Sequence, residues 1–178
     1  MNLQQKSQEV RKVFEELDAQ IKDFIDASQI GCISGCGFCC SNPKVSASVL
    51  EFLPLAFHLY EKGKAALELL ESKNGLVYCI IYKATSTEAA MGFCSDYQNR
   101  GMICRLFGSS ARKNKEDKKE IITCKKIKEA KKEQYEVASL AVNEEMSVPL
   151  SSDAYSRLYN IDFQLTSDQM PINQAIQK

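Results

Sequence analysis

Four cysteines lie within nine positions of this chain, in the segment GCISGCGFCCSNPK at residues 31–44. Cys32, Cys36, Cys39 and Cys40 have the spacing C-x3-C-x2-C-C, and glycines stand at positions 31, 35 and 37. Glycine permits positive φ angles and a close approach of the backbone to a central atom. Gaps of two or three residues direct several sulfur atoms towards one point, as in zinc sites and iron–sulfur clusters. The segment therefore predicts an irregular loop that a thiophilic metal fixes in place.

The adjacent pair Cys39-Cys40 narrows the kinds of site that this loop can form. The side chains of neighbouring residues diverge, so the two thiols make a poor chelate for a single ion. They suit a site with two metal ions, or a site in which one thiol is a ligand and the other is bound elsewhere. A disulfide between them is disfavoured, because adjacent cysteines reach disulfide geometry only with strain.

Composition and the amino terminus bear on the oxidation state of the thiols. A chain of 178 residues with 44% hydrophobic residues can build a core without disulfides. The opening residues MNLQQKSQEVRKVFEELD lack the apolar run of a signal peptide, and no stretch reaches the ~18 apolar residues of a membrane span. We therefore expect a cytoplasmic protein that does not act at a membrane and whose eight cysteines are reduced.

The other four cysteines differ in their surroundings. Cys94 and Cys104 lie in GFCSDYQNRGMICRLFG, a glycine-bearing segment that predicts a loop, and we expect both to be ligands. Cys79, within LVYCIIY, is by itself typical of a core residue. Cys124 follows Ile122 at a helical position, so its sequence context fits a core residue as well as a ligand. A centre with four thiolates carries a charge of about −2, which Arg100 and Arg105 are placed in sequence to offset, while Tyr97 would shield the site.

The whole cysteine pattern resembles that of the bacterial YkgJ-type cysteine-cluster family, a family described as zinc- or iron-chelating. The resemblance covers residues 31 to about 125, and the Arg-Pro of the family is Arg100-Gly101 here. It implies a metal centre of zinc or iron–sulfur type, with Tyr97, Arg100 and Arg105 in the family's conserved positions beside the ligands. The ligands that it implies are Cys32, Cys36, Cys39, Cys40, Cys79, Cys94, Cys104 and Cys124.

The periodicity of apolar residues predicts a mainly α-helical single domain over residues 1–178, with irregular cysteine-rich loops organised around the metal. An amphipathic helix is expected at 3–28, a metal-binding core at about 31–125, and a helical extension at 126–178. Within the core, a capping box formed by Ser48 and Glu51 predicts a second helix from Ser46 or Ser48, kinked or started late by Pro54. The remaining expectations are a helix at 63–73, a short buried strand or an irregular core segment at 76–82, a loop at 92–110, helices at 114–140 and 153–160, and a frayed tail after Met170.

The sequence favours a metal-binding protein, whose metal ion is its expected partner, and two alternatives of other classes stay open. C32-x3-C36-x2-C39, with Phe38 before the last cysteine, also matches radical S-adenosylmethionine enzymes, and protein-modifying enzymes with a similar cluster exist. Those radical enzymes resemble a partial α/β barrel, whereas this chain is helical. The chain has a single histidine, His58, in an apolar context, and no acid–base constellation. We therefore predict no catalytic residues and do not expect an enzyme.

A basic stretch offers the second alternative, a zinc-dependent module that binds nucleic acid or protein. Residues 105–132 hold 11 Lys or Arg and 4 Asp or Glu, although the whole chain has no net charge. The two signs alternate at helical spacing with few aromatic residues, which is typical of a solvated face. We therefore do not expect nucleic-acid binding, and no protein partner can be named from the sequence.

Overall fold

The structure is a computed structural model that describes residues 1–42, 44–63, 78–86 and 91–178. The described chain is mainly helical, as predicted, and contains three short two-stranded sheets. None of the described helices has the length and apolar character needed to cross a bilayer. Apart from Gly63, the helix predicted at 63–73 lies outside the described residues. The helices are α1 Leu3–Ser28, α2 Leu53–Glu61, α3 Met102–Leu106, α4 Lys125–Ala130, α5 Lys132–Ala141, α6 Ser151–Ile161, α7 Phe163–Ser167 and α8 Ile172–Gln177.

The chain forms two compact units, each assembled from separated segments. The first unit comprises Met1–Arg11, Ser34–Gly101 and Leu158–Lys178, and the second comprises Lys12–Ile33 and Met102–Arg157. Helices α1 and α6 each contribute residues to both units. The prediction of a single domain is not decided by this division and stays a prediction. The strands are β1 Ser46–Ser48, β2 Tyr82–Ala84, β3 Gly92–Cys94, β4 Ser110–Lys113, β5 Lys119–Ile122 and β6 Gln169–Pro171.

Helix α1 forms where the sequence predicted it, because its apolar residues recur every three or four positions. Phe14, Leu17, Ile21 and Phe24 are all buried, while the Lys, Glu and Gln between them mostly face solvent. The helix ends where Gln29 adopts a positive φ of 57° and its N–H donates to the carbonyl of Ile25. This left-handed residue stops the helix just ahead of the cysteine loop.

Helix α2 starts later than the capping box suggested. Ser46–Ser48 is a strand, β1, and a 3-10 turn at Leu50–Phe52 precedes the helix, which has Pro54 in its first turn. The late start is therefore confirmed, and the start at Ser46 or Ser48 is wrong. Glu51 is fully buried, and its carboxylate accepts hydrogen bonds from the amide and the hydroxyl of Ser48 at 2.8 and 3.0 Å. The Ser-x-x-Glu pair thus closes the turn that leads out of the strand rather than capping an α-helix.

The carboxyl-terminal residues are ordered, so the predicted frayed tail is wrong. Strand β6 pairs antiparallel with β1, with Ala47 opposite Met170. Helix α8 follows at once and buries Ile172 and Ala175. These two residues lie three positions apart on one helix face, a periodicity too short to stand out in a polar segment.

Residues 76 and 77 lie outside the described residues, and over 78–81 the irregular segment rather than the strand is found. Residues 78–81 form a turn, and the strand β2 begins only at Tyr82, pairing antiparallel with β3. The loop predicted at 92–110 needs correction. After β3 come a 3-10 turn at Tyr97–Asn99, helix α3 and the start of β4, so the segment carries short regular elements. Each of these elements is only three to five residues long, too short to produce a clear periodicity in the sequence.

The long helix predicted at 114–140 is wrong, because a β-hairpin occupies its first third. Strands β4 and β5 pair antiparallel around a turn in which the Asn114 side chain accepts from the amides of Glu116 and Lys118. Asp117 has a positive φ of 61°. A side chain that bonds the backbone locally competes with helix formation. The helical part is divided into α4 and α5. One hydrophobic cluster of the second unit includes Phe24, Ile30, Ala111, Ile121, Ile127, Ala138, Val142 and Val148.

The first unit contains an ion pair that makes its stability depend on pH. Asp162 caps α7 by accepting from the amide of Leu165 at 2.9 Å, and the ammonium of Lys6 binds the same carboxylate. The Leu165 amide, and then Lys6, hold the pKa of Asp162 below its ordinary value. The folded pKa is lower than the unfolded one, so this stabilisation is present above about pH 4 and disappears as the pH falls through the folded pKa.

We expect Asp162→Ala to lower the free energy of unfolding at pH 7 by about 1 kcal/mol, the typical value of a lost helix cap. Asp162→Asn should keep the cap but lose the dependence on pH between about 5 and 3 that the carboxylate contributes. Urea denaturation at several pH values measures both effects. Asp168→Asn, at an exposed pair with Lys178, is the control and should change little. Identical pH profiles for wild type and Asp162→Asn would contradict the assignment.

Candidate metal centre

The cysteines are divided between the two units. Five belong to the first unit: Cys36, Cys39, Cys40, Cys79 and Cys94. Cys79 is buried and the other four are half-buried. The second unit holds the exposed Cys32 and the half-buried Cys104 and Cys124.

Backbone hydrogen bonds join the cysteine loop of the first unit to strand β3. Cys36 forms an antiparallel bridge with Met91, and the amide of Gly92 donates to the carbonyl of Gly35 at 3.0 Å. Strand β3 then places Cys94 directly opposite Tyr82 in β2. The loop therefore extends the small β2–β3 sheet, and Cys36 and Cys94 are held by the same backbone framework.

A second backbone contact joins the other end of the loop to Cys79. The amide of Cys79 donates to the carbonyl of Cys40 at 2.8 Å, whereas the carbonyl of Cys39 accepts from Asn42 at 3.2 Å. A further bond from the amide of Ser41 to the carbonyl of Gly37 closes the turn. The two adjacent cysteines thus have different backbone partners, and it is Cys40 that is fixed to Cys79.

The buried ring of Tyr82 lies at the centre of this framework. Its hydroxyl donates to the carbonyl of Met91 at 2.8 Å, and its amide donates to the carbonyl of Cys79 at 3.0 Å. A Cβ atom added to Gly37 would lie 2.2 Å from the ring, and one added to Gly92 would lie 2.6 Å from it. Only glycine fits at either position. Tyr82 therefore packs against the loop and β3 while bonding to Cys79, so it touches every segment that carries a cysteine of the first unit.

Asn173 in α8 fixes the residues on both sides of Cys79. Its amide nitrogen donates to the carbonyl of Tyr78 at 2.9 Å, and its amide oxygen accepts from the N–H of Ile80 at 2.9 Å. One side chain thus satisfies two backbone groups that an irregular turn leaves without a ladder partner. The position of Cys79 depends on a helix about a hundred residues further along the chain.

The turn that follows Cys94 is held by a polar network. Ser95 donates from both its amide and its hydroxyl to the carbonyl of Ile81, at 3.0 and 2.8 Å. The Asp96 carboxylate accepts from the side chain of Asn99 at 2.8 Å and lies 3.2 Å from Nε2 of His58. Asn99 in turn accepts from Arg11 at 3.0 Å. His58, which the sequence placed in an apolar context, is half-buried and faces this carboxylate.

The polar and aromatic residues expected beside the metal have other contacts in the structure. Arg100 donates to the carbonyl of Tyr97 at 2.9 Å and stacks over its ring at 4.0 Å, while the Tyr97 ring is 63% exposed. The buried guanidinium of Arg105 lies over the ring of Phe14 at 3.9 Å and pairs with Asp18 at 3.2 Å. Their roles beside a metal stay predictions.

Cys124 packs against the hydrophobic core of the second unit. The cluster that it packs against includes the buried Ile127, and Tyr135 is another partly buried residue packed against it. Cysteine behaves as a small hydrophobic residue in such surroundings. This placement supports the interpretation of Cys124 as a core residue. From the sequence alone, a core residue and a metal ligand had been equally consistent with its context.

The donor chemistry of the first unit fits a soft metal. Five thiols share one framework, and thiolates are the ligands that zinc and iron–sulfur clusters take in proteins. Within the described residues, no group of three or more Cys, His, Asp or Glu side chains has the arrangement of a metal site. The framework therefore brings the cysteine-bearing segments together, and the ligand geometry itself is not shown.

A comparison with protein families assigns the chain to a family. Residues 31–139, which are more than half of the chain, match the CxxCxxCC family model, described as "putative zinc- or iron-chelating domain". The chain belongs to this family. Comparisons with curated proteins and with solved structures found no match. The family match includes all eight cysteines and ends 14 residues beyond the predicted core limit of 125.

The family's name also shows where this chain differs. The Cys36–Cys40 part reads CxxCC, in agreement with the name, but three residues rather than two separate Cys32 from Cys36. Between these two cysteines, Gly35 has a positive φ of 72° and its carbonyl accepts the bond from Gly92. Tyr82 and Asn173 support the cysteine segments, and sequence reasoning missed both. Gly37, next to Cys36, and Gly92, before Phe93, were the only local sign of the space that the Tyr82 ring fills. No local feature of the sequence pointed to Asn173.

We expect Gly37→Ala to lower the free energy of unfolding by about 1–3 kcal/mol, because its Cβ would overlap the Tyr82 ring. The loss should shrink when the ring is removed in the double variant Gly37→Ala/Tyr82→Leu, compared with Tyr82→Leu alone. Chemical denaturation of the metal-free chain measures both. Gly31→Ala is the matched control, since its Cβ would make only an ordinary contact of 3.4 Å with Ile25. Equal losses for Gly37→Ala with and without the ring would show that Tyr82 is not the cause.

Proposed function

We propose that this protein binds zinc or an iron–sulfur cluster through thiolates of its first unit, with ligands drawn from Cys36, Cys39, Cys40, Cys79 and Cys94. The observation that carries the proposal is the backbone framework that joins Cys36 to β3 and Cys40 to Cys79. Membership of a zinc- or iron-chelating family supports it. Cys32 and Cys104 stay predicted ligands from the sequence, while the proposal treats Cys124, which packs against the hydrophobic cluster of the second unit, as a core residue.

The backbone carbonyls of Cys39 and Cys40 accept hydrogen bonds from different residues, which supports different roles for the two thiols. Cys40 is fixed beside Cys79, so these two would serve the same metal. Cys39, whose carbonyl accepts from the amide of Asn42 instead, would bind a second metal or take no part in metal binding. A bound zinc ion would supply folding energy, and a cluster would add the capacity for electron transfer.

The basic stretch does not support a nucleic-acid interface. Each of its four acidic residues pairs with a lysine or arginine of the same stretch, at distances between 2.9 and 3.6 Å. Lys128 lies over the ring of Tyr135 and Lys131 donates to the carbonyl of Gln29. Paired and mixed charges of this kind are typical of a solvated surface, and the proposal therefore includes no nucleic acid.

Anaerobic purification followed by metal and sulfide analysis tests the proposal. We expect Cys36→Ser to lose most of the bound metal and to lower the melting temperature, because structural metal binding is coupled to folding. Cys124→Ala is the control: removal of a core thiol should reduce stability but leave the metal content unchanged. Full metal retention by Cys36→Ser would overturn the proposed ligands. Acid-labile sulfide with visible absorption identifies a cluster, and colourless protein with zinc identifies a zinc site.

The two hydrogen bonds of Asn173, to the residues on either side of Cys79, allow a test in which no cysteine is changed. We expect Asn173→Ala to weaken metal binding by about 10–100-fold, as is typical when a residue that orients a ligand is lost. Competition with a chromophoric chelator measures this affinity. Gln174→Ala, at an exposed position of the same helix, is the control. Unchanged affinity in Asn173→Ala would remove α8 from the support of the site.

A further inference from the structure

Two apolar side chains of helix α5 face solvent on the side of the helix that points away from the core. Val137 is 66% exposed and Leu140 is 72% exposed, whereas Ala138 and Val142 are buried in the hydrophobic cluster of the second unit. Residues three apart on a helix are neighbours on its surface, so Val137 and Leu140 form one continuous apolar area. A surface helix normally turns such residues towards the core. The proposed metal ligands belong to the first unit and give no reason for this exposure.

Glutamates border this apolar area at both ends. Glu133 lies one turn before Val137, and Glu136 lies one turn before Leu140. Glu144 follows in the turn after the helix, on the same side. All three glutamates are exposed, and over the described ranges of the chain none of them forms an ion pair. We call these five residues the α5 face.

The negative charge of the α5 face is unfavourable in the chain on its own. Glu144 and Glu145 follow the carboxyl end of α5, where the helix dipole already contributes a partial negative charge and where cations are the stabilising residues. The acidic residues of the nearby basic stretch differ, because each of them pairs with a lysine or arginine. A cationic partner at the α5 face would therefore relieve a repulsion that the chain itself leaves uncompensated.

The same charges disfavour a second copy of this chain as the partner. In an antiparallel pair of α5 helices that met at Val137 and Leu140, Glu133 of one copy would face Glu144 of the other. In a parallel pair, every glutamate would face its own equivalent. Like charges placed directly opposite each other oppose association. The occupant that complements the α5 face is therefore apolar at its centre and basic at its edges.

We propose that the α5 face is a docking surface for a basic amphipathic helix of another protein. Neighbouring apolar side chains of that helix cover Val137 and Leu140, while its lysines or arginines bind Glu133, Glu136 and Glu144. Coverage of the exposed apolar pair supplies affinity, and the carboxylates fix the orientation and reject acidic partners. Amphipathic helices commonly dock on proteins through apolar residues three or four positions apart.

Isothermal titration of the full chain with three designed peptides tests the proposal. The first is an amphipathic helix of two heptads with leucine on one face and lysine elsewhere. The second has glutamate in place of each lysine, and the third is a permutation of the first whose leucines share no face. We expect the first peptide to bind at least about tenfold more tightly than either of the others, and to bind more weakly as salt is added. No binding of the first peptide, or equal binding of the third, would overturn the proposal.

A double variant of the apolar pair assigns the site of binding. Val137→Ser/Leu140→Ser should weaken binding of the lysine peptide by at least about tenfold, because the peptide then has no apolar area to cover. Both side chains are largely exposed, so the melting temperature should stay the same. Tyr60→Ser, at another exposed large side chain, is the control. Unchanged affinity in the double variant would show that the peptide binds elsewhere.

A second double variant assigns the charges. Glu133→Gln/Glu144→Gln should remove most of the preference for the lysine peptide over the glutamate peptide. Glu15→Gln/Asp23→Asn is the matched control, since it removes the same charge from exposed positions of α1 in the same unit. Equal loss of preference in the control would indicate general attraction to negative charge and would contradict the α5 face as the site.

Sedimentation of the free chain tests a second copy as the occupant. We expect a monomer whose sedimentation does not change in Leu140→Glu. A dimer that dissociates in this variant would show that a second copy covers the α5 face and would overturn the proposal.

Discussion

The ring of Tyr82 fills space that only glycine leaves open at positions 37 and 92, and the arrangement of the cysteine segments depends on that contact. The loop and β3 can approach each other only as closely as this ring allows. The bonds from Gly92 to Gly35 and from Tyr82 to Met91 then fix the distance. A site made of short irregular segments thus obtains its precision from one close-packed aromatic side chain.

Local sequence patterns predicted those parts of the fold whose stability is local. Helix α1 was predicted with its bounds because burial follows its own apolar period. The β4–β5 hairpin was missed, since a stretch rich in Lys and Glu suits a solvated helix as well as a solvated hairpin. The pairing of β1 with β6 was also missed, because it joins Ser46 to Pro171, a contact that no local window contains.

The same distinction applies to the metal centre. Cysteine spacing predicted which residues are candidate ligands and which family the chain belongs to, because short-range chelation leaves a mark in sequence. Cysteine spacing could not predict the backbone hydrogen bond from the amide of Cys79 to the carbonyl of Cys40. Nor could it predict that Asn173 holds the backbone next to Cys79. These contacts arise from tertiary structure, and the residues that form them are ordinary in their local context.

The two hydrogen bonds of Asn173 to the backbone around Cys79 form only after the carboxyl-terminal helix α8 has been synthesised. Its bonds to Ile80 and Tyr78 span 93 and 95 positions of sequence. Chains emerge from the ribosome amino terminus first, so the cysteine loop is exposed to the cell while the residue that steadies Cys79 is still unmade. During that interval the thiols can be oxidised or can take up metal loosely. For the proposed metal site, tight and selective binding would therefore follow synthesis of α8 rather than synthesis of the cysteines.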